Sequence, residues 1–231
     1  MIGIIGAMES EVSTLKSNIA NCKITNINSL SFYSGTLSGK EVVVVRSGVG
    51  KVNAALCAQL LIIKFGVDKI INTGIAGAMG GDLDVFDFVV SSKTVYHDVD
   101  ATGFGYSLGQ VPGMDIYYDA DSNMASAALD AFSKTEASKE HKMLKGLIAS
   151  GDQFIDNNET KENIKKNFAP LCVEMEGCAI AQACSLNRVP FVIIRCMSDT
   201  ADEHVKSTYT FNEGVCAEAS AKLILEVVKE L

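Results

Sequence analysis

The sequence predicts a single α/β domain in which helices cover both faces of a mixed sheet. The first observation behind this prediction is that short apolar runs rich in Val and Ile alternate with longer helix-like segments along all 231 residues. Such alternation is typical of α/β proteins whose strands are buried on both faces. The second observation is that no internal repeat, low-complexity tract or linker rich in Pro or Ser interrupts the pattern. We therefore expect one domain over residues 1–231.

Each element follows from its own pattern. Short apolar runs of the kind found in buried strands are Ile2–Ile5, Val42–Val45, Lys69–Ile71, Phe86–Val90, Leu147–Ile148 and Val189–Ile194. The segments between them that have the pattern of helices packed against a sheet are Glu9–Ala20, Asn53–Phe65, Ser122–Phe132, Thr160–Asn167, Ala179–Asn187 and Glu213–Leu231. The segment Asn26–Leu37 alternates more loosely and then turns at Ser38–Lys40, which predicts an inserted antiparallel hairpin.

The stretch Thr94–Tyr118 differs from the rest of the chain. It lacks helical periodicity but is rich in aromatic residues and Gly. A long ordered loop inside a compact domain is usually functional or covered by another element. A mobile surface loop would expose these aromatic rings to water at no benefit, so we expect a pocket lid or a subunit interface.

Composition and charge exclude several classes of function. With 20 basic and 28 acidic residues the formal net charge is -8, so electrostatic binding to nucleic acid is not expected. The apolar runs are far shorter than the ~20 residues that a membrane span requires. The N-terminus lacks the basic region of a secretory signal, and the 7 cysteines lack the spacing of a zinc site or a disulfide framework. We therefore expect a cytoplasmic protein with reduced thiols.

Two glycine-rich loops follow predicted strands. The loop Ser47–Val52 has the position of a phosphate-binding loop but not its residues, because Val52 stands where a Walker A motif needs Ser or Thr. The dinucleotide-binding fingerprint likewise needs a third Gly where Asn53 stands. The loop Asn72–Gly81 is a sharp exit from a strand, where the backbone can approach a ligand closely.

Three groups of acidic residues also follow predicted strands. They are Glu9 with Glu11, Glu174 with Glu176, and Asp199. Ligands of open α/β sheets bind beyond the carboxyl ends of the strands, so these groups are expected to meet at one edge. Any one of them is consistent with a carboxylate that interacts with a helix dipole. Together they favour cleavage of a glycosidic bond, which needs one protonated and one ionised carboxyl group.

The sequence lacks the motifs that other catalytic mechanisms require. His97, His141 and His204 form no HExxH or HxxxH motif. Ser-His-Asp hydrolysis lacks its GxSxG nucleophile elbow, because the GYSLG sequence at 105–109 lies within the stretch Thr94–Tyr118 and not at a turn from a strand to a helix. The segment His97–Asp100 places one His beside two carboxylates, but such a loop more often holds solvated side chains than a metal. We therefore expect neither a metal ion nor a cofactor.

Taken together, these segments resemble those of the 5′-methylthioadenosine/S-adenosylhomocysteine nucleosidases, a family of the purine nucleoside phosphorylase-like superfamily. The motifs occur in the family's order and cover nearly the whole chain. They are GIIGAMESEV (3–12), SGVGKVNAA (47–55), NTGIAGA (72–78), HDVDATGFGYSLGQVPG (97–113), SGDQFI (150–155), VEMEGCAIA (173–181) and RCMSDTAD (195–202).

The resemblance implies a fold, an activity and an assembly. The fold is a three-layer αβα sandwich around a mixed, twisted central sheet, and the assembly is a homodimer. The activity is irreversible hydrolysis of an adenine N-glycosidic bond in methylthioadenosine and S-adenosylhomocysteine, and also in 5′-deoxyadenosine. The products are adenine and a 5-thioribose, and the expected pathway is methionine salvage.

The resemblance also implies a role for individual residues. Glu11 is the expected general base that activates water, and Asp199 is the expected general acid that protonates adenine N7. The substrate-binding residues that it implies are Met8, Val49, Gly77, Phe154, Ile155, Glu174, Met175, Glu176 and Phe211. Of these, Phe154 is expected to stack on the purine, Glu176 to bind the ribose hydroxyls, and Phe211 to cover the ligand. The expected contributions to the neighbouring subunit's 5′-thio pocket are Phe104, Tyr106 and Pro112.

The implied roles agree with the chemistry of these residue types. Adenine leaves easily only after N7 is protonated, so Asp199 must hold a proton near neutral pH, whereas Glu11 must be ionised to accept a proton from water. Anionic groups near the sugar also stabilise the positive charge that develops on it. One position departs from the family, because Ile75 stands where relatives often carry Ser. A water molecule or a backbone amide must then supply the hydrogen bond of that hydroxyl, or turnover is lower.

Two other functions remain open at this point. A nucleoside phosphorylase of the same superfamily would need a cationic cradle for phosphate, usually of Arg. The chain has Arg46, Arg188 and Arg195, but Glu9 and Glu11 lie in the first βα turn and would repel phosphate. The second alternative is a non-catalytic nucleoside-binding or sensor protein on the same fold, which would need no paired acid and base.

Overall fold

The computed structural model of this protein describes residues 1–201 and 205–231, and the strands of these residues form one continuous mixed sheet. The strands are β1 (Ile2–Gly6), β2 (Ala20–Ile27), β3 (Leu30–Leu37), β4 (Lys40–Arg46), β5 (Lys69–Ala78), β6 (Phe88–Tyr96), β7 (Tyr118–Asp119), β8 (Met143–Ser150), β9 (Cys172–Glu174) and β10 (Phe191–Asp199). The helices are α1 (Glu9–Ser17), α2 (Lys51–Leu60), α3 (Ser122–Ser133), α4 (Asn158–Phe168), α5 (Gly177–Asn187) and α6 (Val205–Glu230), with a π-helical extension of α2 at Leu61–Phe65 and short 3₁₀ segments at Thr102–Phe104 and Glu136–Lys139.

The helices lie on both faces of the sheet, as predicted. Because neighbouring residues of a strand point to opposite faces, Ile4 packs into a core shared with α1, α3 and α6, whereas Ile5 packs into a second core shared with α2 and α5. Helix α4 covers a smaller third core through Ile164. This arrangement confirms the αβα layers. Within the described residues, no helix is both long and apolar enough to cross a membrane.

The sheet combines an open part with a closed part. Strands β4, β1, β5 and β10 run parallel, and β2 and β3 extend the β4 edge as an antiparallel meander. On the other side the order is β5, β9, β8, β6 and β10, and β10 also pairs directly with β5. These strands therefore close into a barrel. The sequence analysis predicted a mixed sheet but not this closure.

The predicted hairpin is confirmed as part of the meander. Its turn at Ser38–Gly39 has two positive φ angles, 49° and 82°, which is the backbone of the tight turn that suits the twist of paired strands. The predicted first helix was too long, because α1 ends at Ser17 and Ala20 already begins β2. The backbone N–H of Asn18 closes the helix by donating to Leu15 at 3.1 Å.

The aromatic stretch divides between core and loop. Thr94–Tyr96 belongs to β6 and Tyr118 to β7, so the two ends of the predicted loop are strands. The rings of Tyr96 and Tyr118 are buried edge to face, with centroids 6.4 Å apart. The loop itself covers residues 97–117, and Phe104 within it is 87% exposed.

Candidate active site

A cleft opens where β1, β5, β9 and β10 end. Since β1, β5 and β10 are parallel, their carboxyl ends meet at one edge of the sheet. The cleft is lined by Ala7, Met8, Glu11, Val49, Ile75, Ala76, Gly77, Phe154, Val173, Glu174, Met175, Glu176, Ser198, Asp199 and Tyr209. The three acidic groups therefore do meet, with one exception. Glu9 lies outside the cleft, where its exposed carboxylate pairs with Lys16 at 2.8 Å.

Glu11 is held by backbone donors. Its Oε2 atom accepts hydrogen bonds from the N–H groups of Ala7 at 2.6 Å and Met8 at 2.9 Å, and its Oε1 atom accepts one from Ile75 at 3.1 Å. The side chain is almost fully buried. Burial raises the pKa of Glu11 above its ordinary value, while Arg195 and the backbone donors oppose the rise. A raised pKa makes this carboxylate a better proton acceptor once it is ionised.

Ile75 supplies its hydrogen bond to Glu11 through the backbone. Its N–H is the donor to Oε1 of the carboxylate, and a backbone amide is one of the donors expected from the sequence. The preceding Gly74 makes the approach possible. A Cβ atom there would lie 2.4 Å from Glu11 Oε1 and 2.8 Å from Arg195 Nη1, distances that no side chain tolerates.

Asp199 lies at a bulge that ends β10. The register of the β5–β10 ladder shifts between Met197 and Asp199, and bulges of this kind re-aim a side chain next to a site. Its Oδ2 atom accepts from the Ser198 hydroxyl at 2.7 Å, and its Oδ1 atom accepts from the Ala201 N–H at 2.8 Å. Gly77 is its neighbour on β5, and a Cβ atom there would lie 2.9 Å from Asp199 Oδ1. The buried carboxyl group is thus fixed toward the cleft.

Glu174 and Glu176 share the buried guanidinium of Arg195 unequally. Glu174 Oε2 accepts from Arg195 Nη2 and from the N–H groups of Glu176 at 3.0 Å and Gly177 at 2.7 Å, while its Oε1 accepts from Ser150 Oγ. Both oxygens of Glu174 are therefore occupied within the protein. Its direct contact with a substrate stays a prediction.

Glu176 has fewer donors than Glu174. One carboxylate oxygen accepts from the Gly50 N–H at 2.9 Å, and the other lies 3.7 Å from Arg195 Nη2. Burial and the neighbouring Glu174 raise the pKa of Glu176 to about 8, against the opposing effect of Arg195. Glu176 therefore keeps hydrogen-bonding capacity that faces the cleft.

The aromatic wall of the cleft consists of Phe154 and Tyr209. Their rings meet edge to face with centroids 5.4 Å apart, and the Tyr209 hydroxyl lies 3.5 Å from Met8 Sδ. Ile155 is buried in an adjoining recess that also includes Gly77. Sequence analysis identified Phe154 and Ile155 but missed Tyr209, although it is the first aromatic residue after Asp199.

Four predicted site residues lie outside both this cleft and the adjoining recess in the described part of the chain. Phe211 is 85% exposed. Because residues two apart on a helix point about 200° apart, a helix that turns Tyr209 to the cleft turns Phe211 away. The role of Phe211 as a cover for the ligand stays a prediction. The three loop residues Phe104, Tyr106 and Pro112 do not line their own chain's cleft either, and their contribution to a neighbouring subunit stays a prediction.

Comparison with known proteins agrees with this geometry. The sequence profile of the phosphorylase superfamily matches residues 1–229. Over the full length of both chains, this sequence is 44% identical to the 5′-methylthioadenosine/S-adenosylhomocysteine nucleosidase of Staphylococcus carnosus. The chain belongs to this nucleosidase family. The family resemblance read from the motifs is thereby confirmed.

Solved structures of the family extend the similarity to the fold. The nucleosidase of Neisseria meningitidis in complex with methylthio-immucillin-A is 41% identical, with a TM-score of 0.96 over 100% of this chain and 99% of that chain. The nucleosidase of Colwellia psychrerythraea in complex with adenine is also 41% identical, with a TM-score of 0.95 over 100% of this chain and 95% of that chain. The fold is therefore common to the family over the whole chain.

Proposed function

We propose that this chain hydrolyses the N-glycosidic bond of 5′-methylthioadenosine and S-adenosylhomocysteine, acting as one nucleoside phosphorylase-like domain over residues 1–231. The observation that carries the proposal is the meeting of two buried carboxyl groups, Glu11 and Asp199, in one cleft. The names of its relatives support the substrate class. So do the methylthio-immucillin-A and the adenine bound by the Neisseria and Colwellia proteins.

Asp199 is the proposed general acid. Departure of adenine leaves an oxocarbenium-like sugar, and a proton delivered to N7 turns the base into a neutral leaving group. The Ser198 hydroxyl and the Ala201 N–H fix the carboxyl group of Asp199, so that little reorganisation is required at the moment of transfer. Phe154 and Ile155 lie beside it and would hold the purine.

Glu11 is the proposed general base. Three backbone N–H groups orient its carboxylate, which would take a proton from the attacking water and stabilise the positive charge on the sugar. Glu176 would accept hydrogen bonds from the ribose hydroxyls, and Met175 would pack against the sugar. The apolar side chains of Met8 and Val49 would complete the binding site. These roles require neither a metal ion nor a cofactor.

Hydrolysis is favoured over phosphorolysis because the nearby arginines are engaged. Arg195 is buried between Glu174 and the amide of Asn72, to which it donates at 2.6 Å. Arg46 is on the surface, 4.0 Å from the Glu9 carboxylate. Neither guanidinium offers the cationic cradle that a phosphate nucleophile needs.

A homodimer is part of the proposal. Helices α2 and α5 form an apolar groove in which Val52, Leu56 and Leu186 are 70%, 59% and 65% exposed. Exposed apolar surface of this kind marks an interface. Loop 97–117 borders the groove through Val99 and Val111, so a second copy seated there would meet this loop. Phe104, Tyr106 and Pro112 would then reach the 5′-thio pocket of that second copy.

The proposal also includes a location, a pathway and a further substrate. The location is the cytoplasm, the pathway is methionine salvage, and the further substrate is 5′-deoxyadenosine.

Adenine release from methylthioadenosine tests the proposal. We expect prompt release in phosphate-free buffer, and no acceleration when phosphate is added. Release that depends on phosphate would identify a phosphorylase and direct attention to Arg46. Binding of the nucleoside without release in either buffer would identify the sensor protein considered above.

A further inference from the structure

A charged cluster outside the cleft joins three segments of the chain. It consists of Lys51, Asp98 and Asp152. Lys51 Nζ lies 2.6 Å from Asp98 Oδ2, and the same oxygen accepts the N–H of Asp152 at 2.8 Å. Asp152 in turn accepts the N–H of Lys51 at 2.8 Å. The three residues therefore close a ring of contacts, each bonded to both of the others.

Each member of the cluster comes from a different segment of the chain. Lys51 begins α2, directly after the loop that follows β4. Asp98 begins loop 97–117, after β6, and Asp152 lies between β8 and α4. Ion pairs on a protein surface contribute little, but here the Lys51 and Asp98 side chains are only 21% and 11% exposed. A pair this shielded is much less screened by salt and has a defined geometry.

Two of these loops carry residues of the cleft. Gly50, next to Lys51, donates its N–H to Glu176 at 2.9 Å. Two residues beyond Asp152 stands Phe154, in the wall of the cleft. The contact between these two loops is close, because a Cβ atom at Gly50 would lie 3.1 Å from Asp152 Oδ1. A movement of one loop is therefore transmitted to the other.

We infer that Lys51, Asp98 and Asp152 are positioning residues that set the distance between Glu176 and Phe154, and with it the affinity of the cleft for a nucleoside. The inference rests on the proposed nucleosidase function, in which Glu176 holds the ribose and Phe154 the base. It adds residues that lie outside the cleft itself. Because Asp98 opens loop 97–117, the same cluster joins the chain's own cleft to the loop proposed to serve the partner.

The first test replaces Lys51 by Met, which keeps the apolar stem and removes the charge. We expect the KM for methylthioadenosine and the Kd for adenine to rise about 10-fold, with kcat within about 3-fold of wild type, because misplaced binding loops weaken ground-state contacts. Lys51→Arg is expected to recover part of the affinity. The matched control is Lys134→Met, which breaks an exposed pair with Glu230 of the same 2.6 Å length, and it is expected to leave both constants unchanged.

A second variant serves in case Lys51→Met does not fold. Asp152→Ala removes the acceptor of the Lys51 N–H at a side chain that is 48% exposed, and it is expected to raise KM and Kd about 3-fold. Its control is Asp68→Ala, at a 62% exposed side chain that pairs with the N-terminal amine. Wild-type KM and Kd in the folded cluster variants, with only a lower Tm, would overturn the inference. Failure of the wild-type chain to release adenine would instead refute the proposed function, and the adenine Kd would still test the cluster.

Discussion

The floor of the cleft and the outer face formed by α2, α5 and loop 97–117 are built in opposite ways. On the floor, Glu11, Glu174, Arg195 and Asp199 are each no more than 6% exposed, and each of these side chains makes hydrogen bonds within the chain. On the outer face, apolar side chains are exposed to water, and Leu56 is 59% exposed.

The difference indicates that proton transfer depends on the floor of the cleft and that assembly depends on the outer face. A floor whose charged groups are already bonded within one chain can perform proton transfer without help from another molecule. An exposed apolar face is incomplete until something covers it. We therefore expect changes on the floor to lower kcat or stability, and changes on the outer face to alter assembly and KM.

The largest effect is expected at the two carboxyl groups proposed as catalytic. Asp199→Asn cannot deliver a proton to N7, so kcat is expected to fall about 10²–10⁴-fold, while adenine binding measured by calorimetry stays near that of wild type. Asp119→Asn, at an exposed strand end, is the control. Near-normal turnover by the Asp199→Asn variant would remove Asp199 from the mechanism.

Glu11→Gln tests the other half of the acid–base pair. The expected loss in kcat is again about 10²–10⁴-fold. Glu9→Gln is a closely matched control, because Glu9 lies in the same helical turn but is exposed and outside the cleft. It should retain wild-type turnover, and equal losses in both variants would indicate a general charge effect instead of a specific base.

The acid limb of the pH profile reports on the same residue. Burial raises the pKa of Glu11 above 4.5, so this carboxyl becomes protonated at a higher pH than an ordinary Glu. We expect kcat/KM to fall as the pH is lowered, with a midpoint above 4.5. A rate that stays constant down to pH 4.5 would contradict the role of an ionised Glu11.

Loss of Arg195 is expected to affect stability. Arg195→Met leaves the buried Glu174 carboxylate without its cation, which typically costs about 3–5 kcal/mol. Urea unfolding should show this loss. Arg46→Met, at a side chain that is 56% exposed, is expected to stay within about 0.5 kcal/mol of wild type. A similar free energy of unfolding for both variants would mean that the folded state depends less on Arg195 than the contacts of this residue indicate.

The outer face is tested by Leu56→Glu, which places a charge in the apolar groove. We expect the variant to sediment as a monomer where the wild type sediments as a dimer, and to bind the 5′-thio substrate more weakly. Lys64→Glu lies on the extension of the same helix but outside the groove, and is expected to leave the assembly intact. A dimer of unchanged affinity in the Leu56→Glu variant would place the interface elsewhere.

The smallest effect is expected at loop 97–117. Phe104→Ala removes an 87% exposed ring that is proposed to contact the partner's 5′ pocket, and it should raise the KM for methylthioadenosine about 10-fold with little change in kcat. Adenine, which has no 5′ group, should bind as in wild type. Equal weakening of adenine would show that the ring acts on the base and not on the 5′ side.

Local patterns in the sequence were sufficient to predict most of the helices and strands and to identify the family. Buried strands such as β1 and the small apolar face of α2 appear directly as periodicity, which depends on neighbours within a few residues. The motifs around Glu11, Asp199 and Phe154 are also local, and their residues meet in the cleft as the alternation of strands and helices implies. Element ends were less accurate, as at Ser17 and Tyr96, because capping and pairing determine them.

Other features depend on partners far away in the chain, and no local pattern encodes them. The closure of the sheet requires β5 to pair with β10, which follows much later in the sequence. The pairing of Arg195 with Glu174, and the backbone bond from Ile75 to Glu11, exist because strands distant in sequence end at one edge. Which of Tyr209 and Phe211 lines the cleft is decided by the register of their helix against it. The sequence therefore determined the elements, the family and the candidate site residues, whereas long-range packing determined which groups bond to which and how deeply each is buried.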